Sequence, residues 1–189
     1  VTLSLSCLRA VVFVFALGLV AARPAHASTV IAFDLPALTR IADRVVLGEV
    51  LGVTSAWDAQ HRRIYTEIEV QVAESWKGDA QAERKLLIVQ PGGRVGDIEM
   101  RVHGLATFRT GDRAVLFLAG PERASAVVGM GQGMRRLQLE PGTQRWMALG
   151  GDRSAAVLRG RDGRLLPAPP EPTLPLETLR DRVRALVTP

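Results

Sequence analysis

The sequence predicts a mainly β chain: a small coiled antiparallel barrel with added hairpins, a short N-terminal helix and a C-terminal amphipathic helix. Three observations predict it. Apolar residues recur with period two through most of the chain, most clearly over 62–76. Glycine and proline clusters separate these runs at turn spacing. Helical spacing is confined to the two ends, 33–44 and 173–187.

The first 27 residues read as a secretory leader. AVVFVFALGLVAA (10–22) is an uncharged run of 13 residues behind Arg9, and a membrane-spanning helix needs about 20. Pro24 and the Ala25-His26-Ala27 motif follow it, the layout of a signal peptide with its cleavage site. Cleavage after Ala27 would leave residues 28–189, one domain's length, and place the protein in the periplasm or outside the cell. That product would carry no membrane span and no cysteine, because Cys7 leaves with the leader. A disulfide scaffold, a thiolate metal site and a thiol nucleophile are thereby excluded. His61 and His103 remain, without metal-ligand spacing, so no metal and no cofactor are expected. Loss of Arg9 and Arg23 leaves 22 basic against 19 acidic residues, a net charge of +3. Acids interleave with bases along the chain, unlike the clustered basic stripe of a nucleic-acid binder.

FDLPALTRIADR (33–44) reads as a short helix capped by Asp34, with Pro36 in its first turn. RVVLGEVLGV (44–53) is apolar on both faces and predicts a central strand, with Gly48 and Gly52 as points of close approach. RRIYTEIEVQVAESW (62–76) alternates, Ile64, Thr66, Ile68, Val70 and Val72 on one face. At roughly 3.3 Å per residue it would run about 45 Å, against a diameter of about 40 Å for a globule of this size. A bend or bulge near Ala73-Glu74 is therefore expected. KLLIVQP (85–91), IEMRV (98–102) and DRAVLFLAG (112–120) are further strands, with QPGGRVGD (90–97) a turn. In VVGMGQGMRRL (127–137) the glycine spacing fits no phosphate-binding fingerprint. Strand-spaced Leu137 and Leu139 follow, so the stretch is expected to be the reversal between hairpin arms SAVVGM and MRRLQLE. Weaker strands are expected around 143–149 and 154–159, completing a β domain over 28–160. Residues 161–172 form a proline-rich linker, and 173–189 a helix capped by Thr173 with a stripe of Leu176, Leu179, Val183 and Leu186. That stripe is expected to dock on the barrel.

The segments ADRVVLGEV, YTEIEVQVAESWKG, LLIVQPGG, VHGLATFRTGDRAVLFL and VVGMGQG together resemble a module of uncharacterised secreted bacterial proteins, several encoded beside or fused to predicted matrixin-type metalloproteases. The resemblance covers about residues 37–137. The module is similar to the small barrel of netrin-like and metalloprotease-inhibitor domains, an OB-like fold. The chain departs from that pattern in having no helix between its third and fourth strands and no N-terminal cysteine. The resemblance implies a protein partner, an exported metalloprotease being the named candidate.

In an OB-like barrel, ligands approach the loops joining strands one to two and four to five. Those are 54–63 and 103–112, and they hold Trp57, His61, Arg62, Arg63, His103, Phe108 and Arg109. Arginines suit carboxylate or phosphate contacts and aromatics suit stacking; the plain alternative is two polar loops whose aromatics lid the barrel. His103 with Asp97, Glu99 or Asp112 can be drawn as acid–base machinery, but no constellation is complete, and Ser125 and Ser154 lack a nucleophile elbow. The expected function is a secreted, non-enzymatic binding module without catalytic residues. The alternatives are a binder of anionic polysaccharide or another polyanion through the loop arginines, and a hydrolase.

Overall fold

The computed structural model describes residues 30–79, 84–159 and 163–187; the expected leader lies outside them. Its first elements are strand β1 (Val30–Ile31), helix α1 (Leu35–Ile41), and the long strands β2 (Arg44–Trp57) and β3 (Ile64–Lys77). Then come β4 (Lys85–Pro91), β5 (Gly93–Val95), β6 (Ile98–Met100), β7 (Arg113–Ala119) and β8 (Ala126–Val127). A 3-10 helix (Met130–Gly133) leads into β9 (Met134–Leu139), β10 (Trp146–Ala148), β11 (Ala156–Arg159), β12 (Leu165–Pro167), β13 (Leu174–Pro175) and helix α2 (Leu176–Val187). The chain is mainly β, with the short helix first and the amphipathic helix last, as its periodicities predict.

One antiparallel sheet runs β13-β10-β9-β7-β2-β3-β4, with β8 also on β7. β2 and β7 are apolar on both faces because both faces are covered. One face packs Val45, Leu47 and Phe117 against Leu38 of α1 and Leu179 and Val183 of α2. The other face curls inward around Val50, Ile68, Val70, Ile88 and Leu116. The curl comes from bulges. Along the β2–β3 ladder the register slips between Val45 and Val46, Leu47 and Gly48, and Val50 and Gly52. The middle slip leaves Ala73 without a partner, where the strand's length requires a bend. At Gly48 a Cβ would lie 2.6 Å from Val70 Cγ1 and 2.9 Å from the Gln71 carbonyl, so the crossing strand needs hydrogen there. Gly52 meets nothing within 4 Å and plays no such part.

The expected barrel does not close. The β4 edge curls round to residues 122–125, where Leu87 N–H donates to Glu122 O, Val89 N–H to Ser125 O, and Ser125 N–H to Leu87 O. Those residues lead into β8, which pairs with β7 at only two positions. Pro121 offers no N–H and β8 is two residues long, so a single bridge, Ile88 to Ser125, stands where a ladder would be.

Local expectations are corrected in four places. QPGGRVGD is not a plain turn, because Gly93–Val95 pairs with Ile98–Met100 as a small hairpin. The glycine stretch is not a hairpin reversal: β8 and β9 do not pair with each other but run one after the other along β7. The reversal has already been made between β7 and β8. The glycines instead permit contact, since Gly129 has φ 65° and a Cβ there would lie 2.8 Å from the Phe33 ring. Helix α2 begins at Leu176 rather than at a Thr173 cap, because Leu174–Pro175 pairs with β10. Leu176, Leu179 and Val183 are buried on the sheet, whereas Leu186 is 46 % exposed. A separate sheet, β1-β11-β12, takes its last strand from the proline-rich stretch.

Two clamps hold α1, one at its own start and one from the last residue of β3. Asp34 Oδ1 accepts the Ala37 N–H at 2.8 Å as the α1 N-cap. Lys77 Nζ donates to the carbonyls of Thr39 (2.7 Å) and Ala42 (2.6 Å), placing a cation on the negative end of the same helix.

Candidate functional site

The open end of the curled sheet forms a cleft of about 550 Å³. Past the Ile68 layer the inner face turns polar: Val53 and Ser55 of β2, Thr66 of β3 and Gln90 of β4 make one wall. The segment 101–108 makes the other, and Asp152 and Ser154 close one end. The volume falls within the range of ligand pockets, about 300–1,000 Å³.

Each wall is held by its own bonds. Ser55 Oγ and Thr66 Oγ1 lie 2.8 Å apart, and Thr66 Oγ1 donates to Gly92 O at 2.6 Å. Gly93, at φ 134°, lies so close that a Cβ would collide with both hydroxyls, which ties the hairpin β5–β6 to the sheet. The facing segment has little structure of its own and is pinned by neighbours. Gln90 Nε2 donates to Ala106 O at 3.1 Å, Gly131 N–H to Gly104 O at 2.7 Å, and Arg136 to Thr107 O at 2.7 Å. Arg136 also meets Asp112 at 3.0 Å, and the same carboxylate accepts the Arg109 N–H at 2.9 Å. The second arginine after the glycine stretch is thus a strut of the cleft wall.

The first arginine is a buried strut. Arg135 is 3 % exposed, pairs with Glu171 at 2.6 Å, donates to Gln132 O, and lies over the Phe117 ring at 5.7 Å. Burial pushes its guanidinium below the ordinary arginine range, and the Glu171 carboxylate pulls it back. Gln132 is buried too. Its side chain accepts the Phe33 N–H at 2.9 Å and donates to Ile31 O at 3.1 Å, tying down the N-terminal segment.

Six of the seven expected site residues separate into two places, and Arg109 lies in neither. His103 and Phe108 line the cleft. Trp57 and His61 stack at the β2–β3 tip, ring centroids 6.3 Å apart and 22° from parallel. Arg62 and Arg63 are exposed beside them, and the Arg62 N–H is bound by Asp58 Oδ1 at 2.7 Å. Arg109 is exposed and does not line the cleft. Sequence reasoning missed Ser55, Thr66, Gln90 and Asp152. Thr66 carried a signal: it is the one polar residue in the otherwise apolar row Ile64, Ile68, Val70, Val72.

Of the titratable groups in the cleft, two pair with each other. Arg101 grips Glu99 through two bonds, 2.7 and 3.0 Å. Asp152 Oδ1 accepts the Ser154 N–H at 2.8 Å. His103 makes no hydrogen bond or ion pair within the described residues. Among those residues there is also no group of three or more histidine, cysteine, aspartate or glutamate side chains placed to hold a metal ion. The Arg101 hydrogen bonds hold Glu99 below the usual carboxylate range, with Arg94 adding to the pull. A carbon-detected NMR titration should show Glu99 titrating below the usual glutamate range, and Arg101→Ala should return it toward that range. The pair faces solvent, so about 1 M salt should shrink the difference, and an unchanged Glu99 in Arg101→Ala would contradict the assignment.

A scan of protein-family models, a search of curated proteins and a search of solved structures each returned no match to this chain.

Proposed function

We propose that the protein is an exported, non-enzymatic binding module that holds a protein partner at the cleft between the curled sheet and segment 101–108, an exported metalloprotease being the named candidate. One observation carries the reading: the cleft is roomy enough for a ligand, yet its acid–base pair Glu99 and Arg101 is spent on itself and His103 has no partner among the described residues. A hydrolase at this site needs a base oriented by a second group, and no described residue is bonded to His103. The test is capture from culture medium with the full chain as bait. Phe108→Asp should abolish capture of the partner, and Arg62→Ala/Arg63→Ala should leave it intact. Capture that survives Phe108→Asp would sink the reading.

A second reading has its own support. The Trp57–His61 stack, with Arg62 and Arg63 exposed beside it, is a platform suited to an anionic polysaccharide or another polyanion. Binding there should fall steeply with salt and vanish in Arg62→Ala/Arg63→Ala.

A further inference from the structure

We infer that the occupant of the cleft is an extended peptide segment of the partner, one that bears a basic side chain and pairs its backbone with residues 106–108. The inference rests on the binding reading above and specifies what enters.

The first ground is an accounting of backbone groups. Nearly all backbone N–H groups in folded chains find a partner, and an unpaired extended stretch is a template for another strand. Residues 105–109 belong to no helix or strand. The carbonyls of Ala106 and Thr107 are taken by Gln90 and Arg136, which hold the segment in place. The N–H groups of Ala106, Thr107 and Phe108 donate to no described residue, whereas the N–H of the next residue, Arg109, is bound by Asp112. The segment lines the wall of a cleft, and because N–H groups alternate in direction along an extended chain, one added strand takes those of Ala106 and Phe108. Strand addition uses such donors for affinity and takes specificity from the side chains around them.

The second ground is the charge and texture of the lining. Two carboxylates, Glu99 and Asp152, stand against one guanidinium, Arg101. Because Arg101 is bonded to Glu99 through both of that carboxylate's oxygens, Asp152 supplies the uncompensated charge. Val53, Leu105 and Phe108 provide apolar surface beside it. An extended chain alternates its side chains, so one face can set apolar groups on Val53 and Phe108 while a basic group reaches Asp152.

The experiment titrates the isotope-labelled full chain with three capped pentapeptides: alternating valine and lysine, the same with glutamate for lysine, and the lysine peptide methylated on its backbone nitrogens. The lysine peptide should shift the amide signals of Ala106 and Phe108 in the millimolar range or below. The glutamate peptide should bind about threefold or more weakly, and Asp152→Asn, which keeps the Oδ1 acceptor for Ser154, should erase that preference. Backbone methylation should abolish the shifts. Equal binding by the methylated peptide, or no shift over 106–108 with any peptide, would overturn the inference. If the peptides fail while partner capture still depends on Phe108, the extended-segment inference falls and the binding reading stands. If capture is also indifferent to Phe108, both fall.

Discussion

Glu171→Ala should lower the unfolding free energy by about 3–5 kcal/mol, the usual cost of removing one partner from a buried ion pair. The side chain it abandons is Arg135, 3 % exposed and 2.6 Å from the Glu171 carboxylate. Arg153 lies 3.7 Å from the same oxygen and its side chain is itself only 13 % exposed, so the mutation leaves two guanidinium groups facing one another without a counter-charge. Their mutual repulsion already works against Arg135 in the intact protein. The damage should spread beyond the pair, because Arg153 also donates to Phe33 O and Gln132 holds the backbone just before it, at Phe33 N–H and Ile31 O. Glu171→Gln, which keeps an acceptor but removes the charge, should cost less. Arg135→Met/Glu171→Leu should recover much of the loss, since well-packed apolar groups replace buried ion pairs at little cost. Guanidinium titration reads all three, a shift in midpoint at constant slope marking a change in stability rather than in compactness. A loss below about 0.5 kcal/mol for Glu171→Ala, the scatter typical of neutral surface changes, would mean the pair is not buried in solution.

What the sequence reveals is set by how local the cause is. The burial of Ile64, Thr66, Ile68, Val70 and Val72, and the exposure of Glu67 between them, follow from a period of two and need no partner. The same holds for the Asp34 cap and for Leu176, Leu179 and Val183 on α2. The bulge opposite Gly48 is legible for a global reason, since a strand of that length cannot stay straight within a chain this small. Pairing is not local, and there the expectations fail. Nothing in SAVVGM or MRRLQLE states that both arms bond to β7 instead of to each other. Strands of two or three residues beside prolines, such as β12 and β13, have no period to detect. The site divides for a related reason. β2 was expected to end at Val53 and continues to Trp57, so the hairpin tip that carries Trp57, His61, Arg62 and Arg63 projects past the residues that line the cleft. Only His103 and Phe108, on the segment pinned by Gln90 and Arg136, reach it.

Trp76→Ala should cost about 3–5 kcal/mol, as large aromatic truncations in a core do. Trp76 is 5 % exposed and sits in the cluster that joins the sheet to both helices, with Leu38 and Ala42 on one side and Leu176, Leu179 and Val183 on the other. It reaches that position because the register slip between Val45 and Val46, which pair with Lys77 and Ser75, leaves Trp76 without a cross-strand partner. Its indole N–H donates to Glu74 Oε2 at 3.1 Å, and Arg180 of α2 bonds Glu74 Oε1 at 3.0 Å while lying 5.9 Å from the indole ring. Trp76→Phe keeps most of the packing and loses that one hydrogen bond, so about 1 kcal/mol beyond the smaller ring's contacts is expected. Arg180→Ala should cost no more than about 1 kcal/mol, since the pair is partly open to solvent. Hydrogen exchange separates packing from the ion pair: in Trp76→Ala the amides of α2 should exchange faster than those of β7, whereas Arg180→Ala should leave that order unchanged. Equal stability of Trp76→Ala and Trp76→Phe would show that the indole does not anchor the helices. The adjoining Lys77 caps α1, so the Trp-Lys pair fastens both helices to a single bulge. A motif spent in this way marks a fold, and activity has to be sought at residues the fold does not need.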